Sequence, residues 1–142
     1  MLSIPEQLAR IRGAQRLTQA EVAQRAGTSA VPMCRWESGA RSPLLRNACA
    51  WASALGHRLV VTRDGRPLGD VLSLPSGLSE ARRAAGLTQS ELARRMYVAR
   101  NAVCQVETRS RTAVCSLVTA ERYLTGCGHR LDLEATPMAV AA

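Results

Sequence analysis

Arginine supplies all of the fixed positive charge in this sequence. The 142 residues contain 19 Arg, no Lys and 11 acidic residues, a formal net charge of +8. A guanidinium's planar fork fits phosphate oxygens and the guanine O6/N7 edge, so the balance points to a polyanion. A GC-rich genome would give the same Arg-for-Lys and Ala-rich bias. The charge is spread, +5 over residues 1–72 and +3 over 73–142, so neither half is a basic tail. Five cysteines, at 34, 49, 104, 115 and 127, are odd in number and lack both Cys-x-x-Cys and paired Cys/His spacing. No disulfide scaffold, metal site or cofactor is expected from them. Cys34 and Cys104 fall at the same place in an internal repeat, which predicts small buried side chains rather than a redox pair. The two histidines, His57 and His129, stand before candidate strands with no constellation of acids or nucleophiles. No catalytic residue is assigned, and the chain is not read as an enzyme.

The elements that must position these groups come in two copies. "LTQAEVAQRA" at 17–26 returns as "LTQSELARRM" at 87–96. In each, Thr is followed three residues later by Glu (Thr18 and Glu21, Thr88 and Glu91), the capping-box pattern of a helix start. Leu17, Val22, Ala23 and Ala26, and likewise Leu87, Leu92, Ala93 and Met96, then fall on one face. Gly27 closes the first of these helices at a residue suited to positive φ, and a further helix capped at Thr28 or Ser29 carries Met33 and Trp36. Ser3, Pro5 and Glu6 open a helix upstream; Ser42 and Pro43 open a fourth that runs to Leu55. In the second copy the helices are expected near Ser79 to Ala85, Gln89 to Met96, Ala99 to Glu107 and Cys115 to Thr125. "GHRLVVTRD" and "GHRLDLEAT" read as closing strands. With 46% hydrophobic residues but 3% aromatic and no Phe, the cores must be Leu, Val and Ala.

The domain reading is therefore residues 1–63, a Gly/Pro/Ser-rich linker at 64–76, residues 77–135, and a disordered tail at 136–142. The N-terminus lacks the apolar run of a signal peptide and no stretch approaches the roughly 20 apolar residues of a membrane span, so a cytoplasmic location without membrane partners is expected.

The first copy resembles the Xre or lambda-repressor-like (Cro-type) helix-turn-helix family in Leu8, Arg12, "LTQAEVAQRAGTS", "RWESG", "RSP" and "ALG", over most of residues 4–61. The second is similar in Leu78, Arg82, "GLTQSELARRM", Val98 and Glu107, but has Tyr97 for the turn Gly and Arg109 for the Gly after helix three. An aromatic residue at positive φ costs roughly 1 kcal/mol, which predicts a differently shaped turn at Tyr97. The implied fold is mainly α: two tandem lambda-repressor-like helix-turn-helix domains, each of four or so short helices with a short C-terminal strand. Leu59 and Val61 match Leu131 and Leu133, and Arg58 faces acidic Asp132 and Glu134, so the strands are expected to pair with each other near 58–62 and 130–134 about an approximate two-fold axis.

The resemblance further implies that Gln19 and Gln89 contact phosphates. It places base-reading positions at Ala30, Val31 and Arg35 and at Arg100, Asn101 and Gln105, with Arg41 a backbone contact. It also implies inner ion pairs, Arg12 with Glu37 and Arg82 with Glu107. The expected partner is double-stranded DNA, bound sequence-specifically by a repressor-like transcriptional regulator. One chain is expected to act as a pseudo-dimer on an asymmetric operator, in preference to a homodimer. The "ALGHRLVV" ending is similar to antitoxins of the HipB kind; the alternative is accordingly an interaction module that binds a toxin and autoregulates through DNA.

Overall fold

The computed structural model describes residues 2–74 and 77–136. Among them lie eight α-helices and one antiparallel sheet. The order is α1 (Ile4–Ala14), α2 (Gln19–Ala26), α3 (Ala30–Ser38), α4 (Leu45–Ala54), β1 (His57–Arg63), β2 (Arg66–Asp70), α5 (Ser79–Ala84), α6 (Gln89–Met96), α7 (Arg100–Ser110), α8 (Leu117–Gly126) and β3 (Arg130–Ala135). Local chemistry sets several of these boundaries. Ser3 with Glu6, Thr18 with Glu21 and Thr88 with Glu91 each close a reciprocal capping box. The Thr88 backbone N–H bonded to its carboxylate holds Glu91 below the usual carboxylate range. No helix among the described residues is long and apolar enough to cross a membrane.

Residues 64–76, expected as a linker, instead begin with a strand. Asp64 (φ +52°) and Gly65 (φ +76°) form a two-residue turn with both residues left-handed, the hairpin geometry whose twist matches that of its strands. β2 then returns along β1, and residues 71–73 form a single 3-10 turn. Pro67 lacks the N–H a central strand would need and is accommodated because β2 is an edge. Opposite Val61 and Thr62 stand Gly69 and Pro67, so Leu68 is an extra residue in a bulge. The sheet has three strands, in the order β2-β1-β3, where two were expected.

β1 also pairs antiparallel with β3, with Leu59 opposite Leu133, Val61 opposite Leu131 and Arg58 opposite Glu134. Thr62 donates its hydroxyl to Asp132 at 2.5 Å. The Arg58–Glu134 pair, 3.3 Å long with both side chains about two-fifths exposed, contributes at most a few tenths of a kcal/mol. The aliphatic pairs carry the ladder.

Helix α4 does not begin at Ser42 and Pro43. Its free N-terminal donors are satisfied from the other end of the chain: Leu45 N–H reaches Cys115 O at 2.7 Å and Arg46 N–H reaches Ala113 O at 2.9 Å. The relation is reciprocal. Leu117 N–H, at the start of α8, reaches Pro43 O at 2.8 Å, and Val118 N–H reaches Ser42 Oγ at 3.1 Å. Residue 44 bridges 116 and residue 60 pairs with 132, an offset of 72 in both cases. The same offset relates His57 to His129 and Trp51 to Tyr123. Each contact thus joins a residue to its own counterpart, as contacts on a two-fold axis must. One hydrophobic cluster runs through both halves, from Ile4 and Leu8 through Trp36, Trp51 and Val61 to Leu92, Tyr123 and Leu131. The tail at 136–142 lies, apart from Thr136, outside the described residues.

Two further boundaries differ from the sequence reading. α3 ends at left-handed Gly39 (φ +79°), whereas α7 runs on to Ser110 and the left-handed residue comes later, at Ala113 (φ +55°). The Cys34-to-His57 spacing of 23 residues becomes 25 from Cys104 to His129, and the two extra residues of the second copy are spent on a longer helix and its exit. Tyr97 does not reshape its turn: it caps α6 at φ +57°, ψ +42°, in the conformation Gly27 takes at φ +77°, ψ +27° after α2. Packing of α6 against α7 dictates the turn, and the 95% exposed tyrosine side chain obstructs nothing. Tyr97→Gly is therefore expected to stabilise the protein by about 1 kcal/mol in urea unfolding; a drop in stability would show that the phenol contributes to folding.

Candidate nucleic-acid interface

A helix of nine residues that buries Met33 and Trp36 must turn its other side outward. On α3 that side carries Ala30, Val31, Cys34, Arg35 and Ser38, all exposed, with Val31 at 62%. On α7, Val103 and Glu107 face inward, and Arg100, Asn101, Cys104, Gln105 and Thr108 face out. All six residues expected to read bases thus lie on two outward helix faces. Cys34 and Cys104, expected to be buried, are exposed. Each is one residue beyond a core position, about 100° around the helix, and so falls on the solvent side.

The starts of these helices contrast with those of their neighbours. α2 and α6 are closed by capping boxes, whereas neither Ser29 nor Ala99 offers a side-chain cap to α3 or α7. The first backbone N–H groups of α3 and α7, at the positive end of each helix dipole, thus receive no side-chain cap. Pro32 sits in the first turn of α3, where a missing N–H breaks no helix bond.

Behind these faces the ion pairs hold the orientation. Arg12 grips Glu37 with two bonds, Nε to Oε2 at 2.7 Å and Nη2 to Oε1 at 2.8 Å, and its Nη1 donates to Leu17 O at 2.8 Å. Arg82 repeats the arrangement with Glu107 at 3.0 and 3.1 Å and with Leu87 O at 2.9 Å. Both glutamates are 8% exposed. Donating to its glutamate raises the pKa of each arginine further above the ordinary value. Burial, with the Glu107 carboxylate close by, pushes the Tyr123 phenol up and keeps it neutral. Each arginine therefore ties the end of the first helix and the loop after it to the third helix of its own half.

Gln19 and Gln89 join the same clusters. Each opens its helix and donates its side-chain amide to the paired glutamate, Gln19 to Glu37 at 3.2 Å and Gln89 to Glu107 at 3.3 Å. One donor of each amide is thereby used, which fixes where the other donor points. The glutamate that closes the ion pair thus also orients the glutamine. Sequence spacing could not show this link, because residues 19 and 37 sit on different helices.

Arg41 is exposed just beyond α3. In the second half the longer α7 presents Arg109 and Arg111 near the corresponding place, both exposed; the sequence marked Arg109 only as a substitute for glycine and did not mark Arg111. Their signal was the two-residue difference in spacing. His57 and His129 sit at the helix-to-strand corners, Nδ1 lying 2.9 and 3.0 Å from the carbonyl oxygens of Leu55 and Cys127. Burial pushes the His129 imidazole pKa down, favouring its neutral form. Comparison with models of known protein families, with curated proteins and with solved structures finds no match to this chain.

Proposed function

We propose that this chain binds double-stranded DNA sequence-specifically as a repressor-like transcriptional regulator. On this reading α2–α3 and α6–α7 are two helix-turn-helix units of the lambda-repressor-like kind, and α3 and α7 are the recognition helices. The observation that carries it is the pair of outward helix faces, each with an uncapped N-terminus and an ion-paired glutamate orienting a glutamine beside it. Free N–H groups and an oriented amide suit phosphate oxygens. The side chains beyond them suit base edges: Arg100 can grip guanine, and Asn101 or Gln105 adenine, whereas Ala30 and Val31 offer apolar contact to a thymine methyl.

The contacts on a two-fold support a pseudo-dimer, in which one chain presents both recognition helices to successive major grooves. Because the two faces differ, the operator is expected to have unlike half-sites. Selection from a random DNA pool, followed by the solution mass of the complex, tests this. One chain per asymmetric operator supports the proposal; two chains per operator contradict it.

Single substitutions then divide the roles. Arg100→Ala is expected to weaken the selected operator by about 1 to 3 kcal/mol and to relax preference at one base pair. Arg41→Ala should weaken all sequences alike. Binding to the operator and to its single-base variants distinguishes the two, and an Arg100→Ala protein with unchanged preference would remove α7 from the groove.

A further inference from the structure

The hairpin joining β1 to β2 has no counterpart among the described residues of the second half. Its tip, residues 63–68, is exposed at every position. Two of those residues are Arg63 and Arg66, with Asp64 as the single acid between them. Beyond its own ladder bonds, the tip is joined to the second half among the described residues by a side-chain bond: Arg63 Nη1 donates to Ala84 O, at the last residue of α5, at 3.5 Å. Arg83, also exposed, is the residue before. The chain then turns at Gly86 (φ +71°) and enters α6 at Gln89, held there by the Arg82 bond to Leu87 O. The hairpin grown from the first half therefore leaves its basic tip beside the loop that leads into the second half's candidate phosphate contact.

We infer that the β1–β2 tip is an additional contact to the nucleic-acid backbone, made by Arg63 and Arg66 at the outer flank of the second half-site only. The inference rests on the DNA-binding reading above and extends it to an element outside both helix pairs. The tip buries none of its side chains, so stability does not account for an arginine at Arg66, whose side chain bonds nothing among the described residues. Guanidinium groups beside a helix start aimed at phosphates match the next phosphates along the same strand. Since β3 carries no such hairpin among the described residues, the footprint is expected to be lopsided in length as well as in sequence.

The test compares the full chain with Arg63→Ala/Arg66→Ala and with Arg66→Ala alone, on operator DNA selected by the wild type. Hydroxyl-radical protection is expected to shorten at the outer end of the second half-site and nowhere else. The slope of log K against log salt should become shallower by about 1.8 in the double variant and about 0.9 in the single one, one counterion increment per lost phosphate. Arg66→Ala keeps the test sound if loss of the Arg63 anchor disturbs folding. Wild-type binding with slope and protection unchanged in both variants overturns this inference alone, as does protection lost evenly over both half-sites. A wild-type chain that retains no DNA overturns the DNA-binding reading and the inference with it.

Discussion

Glu37→Ala is expected to lower the free energy of unfolding by about 3–5 kcal/mol, a large part of what a small protein has. The carboxylate is 8% exposed and accepts both donors of the Arg12 fork, together with the Gln19 amide. Its removal leaves a partly buried guanidinium with one carbonyl partner, Leu17 O. Most of the loss is this orphaned charge rather than the worth of the pair. Arg12→Met combined with Glu37→Leu, which removes both charges and keeps the volume, should therefore recover much of the stability. Fluorescence is a suitable probe because both tryptophans, Trp36 and Trp51, lie in the first half with ring centroids 5.9 Å apart. A urea midpoint unmoved by Glu37→Ala would mean that the pair does not hold α1 to α3. The same change at Glu107 should cost a similar amount, read by circular dichroism.

Affinity for the selected operator is expected to fall about five-hundredfold between 50 and 200 mM salt, the behaviour of a protein that neutralises about five phosphates. The cationic candidates are Arg41, Arg109 and Arg111 at or beyond the ends of the third helices and Arg63 and Arg66 at the hairpin tip, all exposed. Each neutralised phosphate releases condensed counterions, whereas the neutral Gln19 and Gln89 amides and the helix N–H groups add contacts without adding to the slope, so the dependence should be linear in log salt. Fluorescence anisotropy of labelled operator across a salt series gives the slope. A nearly flat line would leave the basic excess without a role in binding and would favour a protein partner.

What could be read from the sequence was whatever is written locally. Thr18 and Glu21 bond to each other's backbone three residues apart, so spacing alone located α2, and Thr88 and Glu91 did the same for α6. The ends that misled depend on distant chain. Ser42 and Pro43 look like a helix start, but the donors they would cap are taken by Cys115 and Ala113, about seventy residues on. β2 was hidden because Pro67 and Gly69 are poor strand residues; the Asp64-Gly65 pair was the local sign of the hairpin, outweighed by that composition. At Cys34 and Cys104 equivalence in the repeat was read as burial, yet equivalence fixes only a shared environment. Tyr97 shows packing overriding propensity, since about 1 kcal/mol of backbone strain is small beside the contacts that place α7 on α6. The candidate interface divides in the same way. Which residues share a face followed from helical period, whereas the glutamine-to-glutamate links needed the third dimension.

The reciprocal caps at Leu45 and Leu117 bear on how such a chain can change. In a homodimer every substitution is made twice, and a residue that improves one half-site is imposed on the other. Here each side of the axis is encoded separately, so Ala30 and Arg100, or Gly27 and Tyr97, can drift apart without a matching change across the axis. Tethering also holds the halves at an effective concentration that dilution cannot lower. In the proposed single-chain complex, occupancy of a site that needs both halves rises in simple proportion to the number of chains while they are scarce, with no threshold of association to cross first.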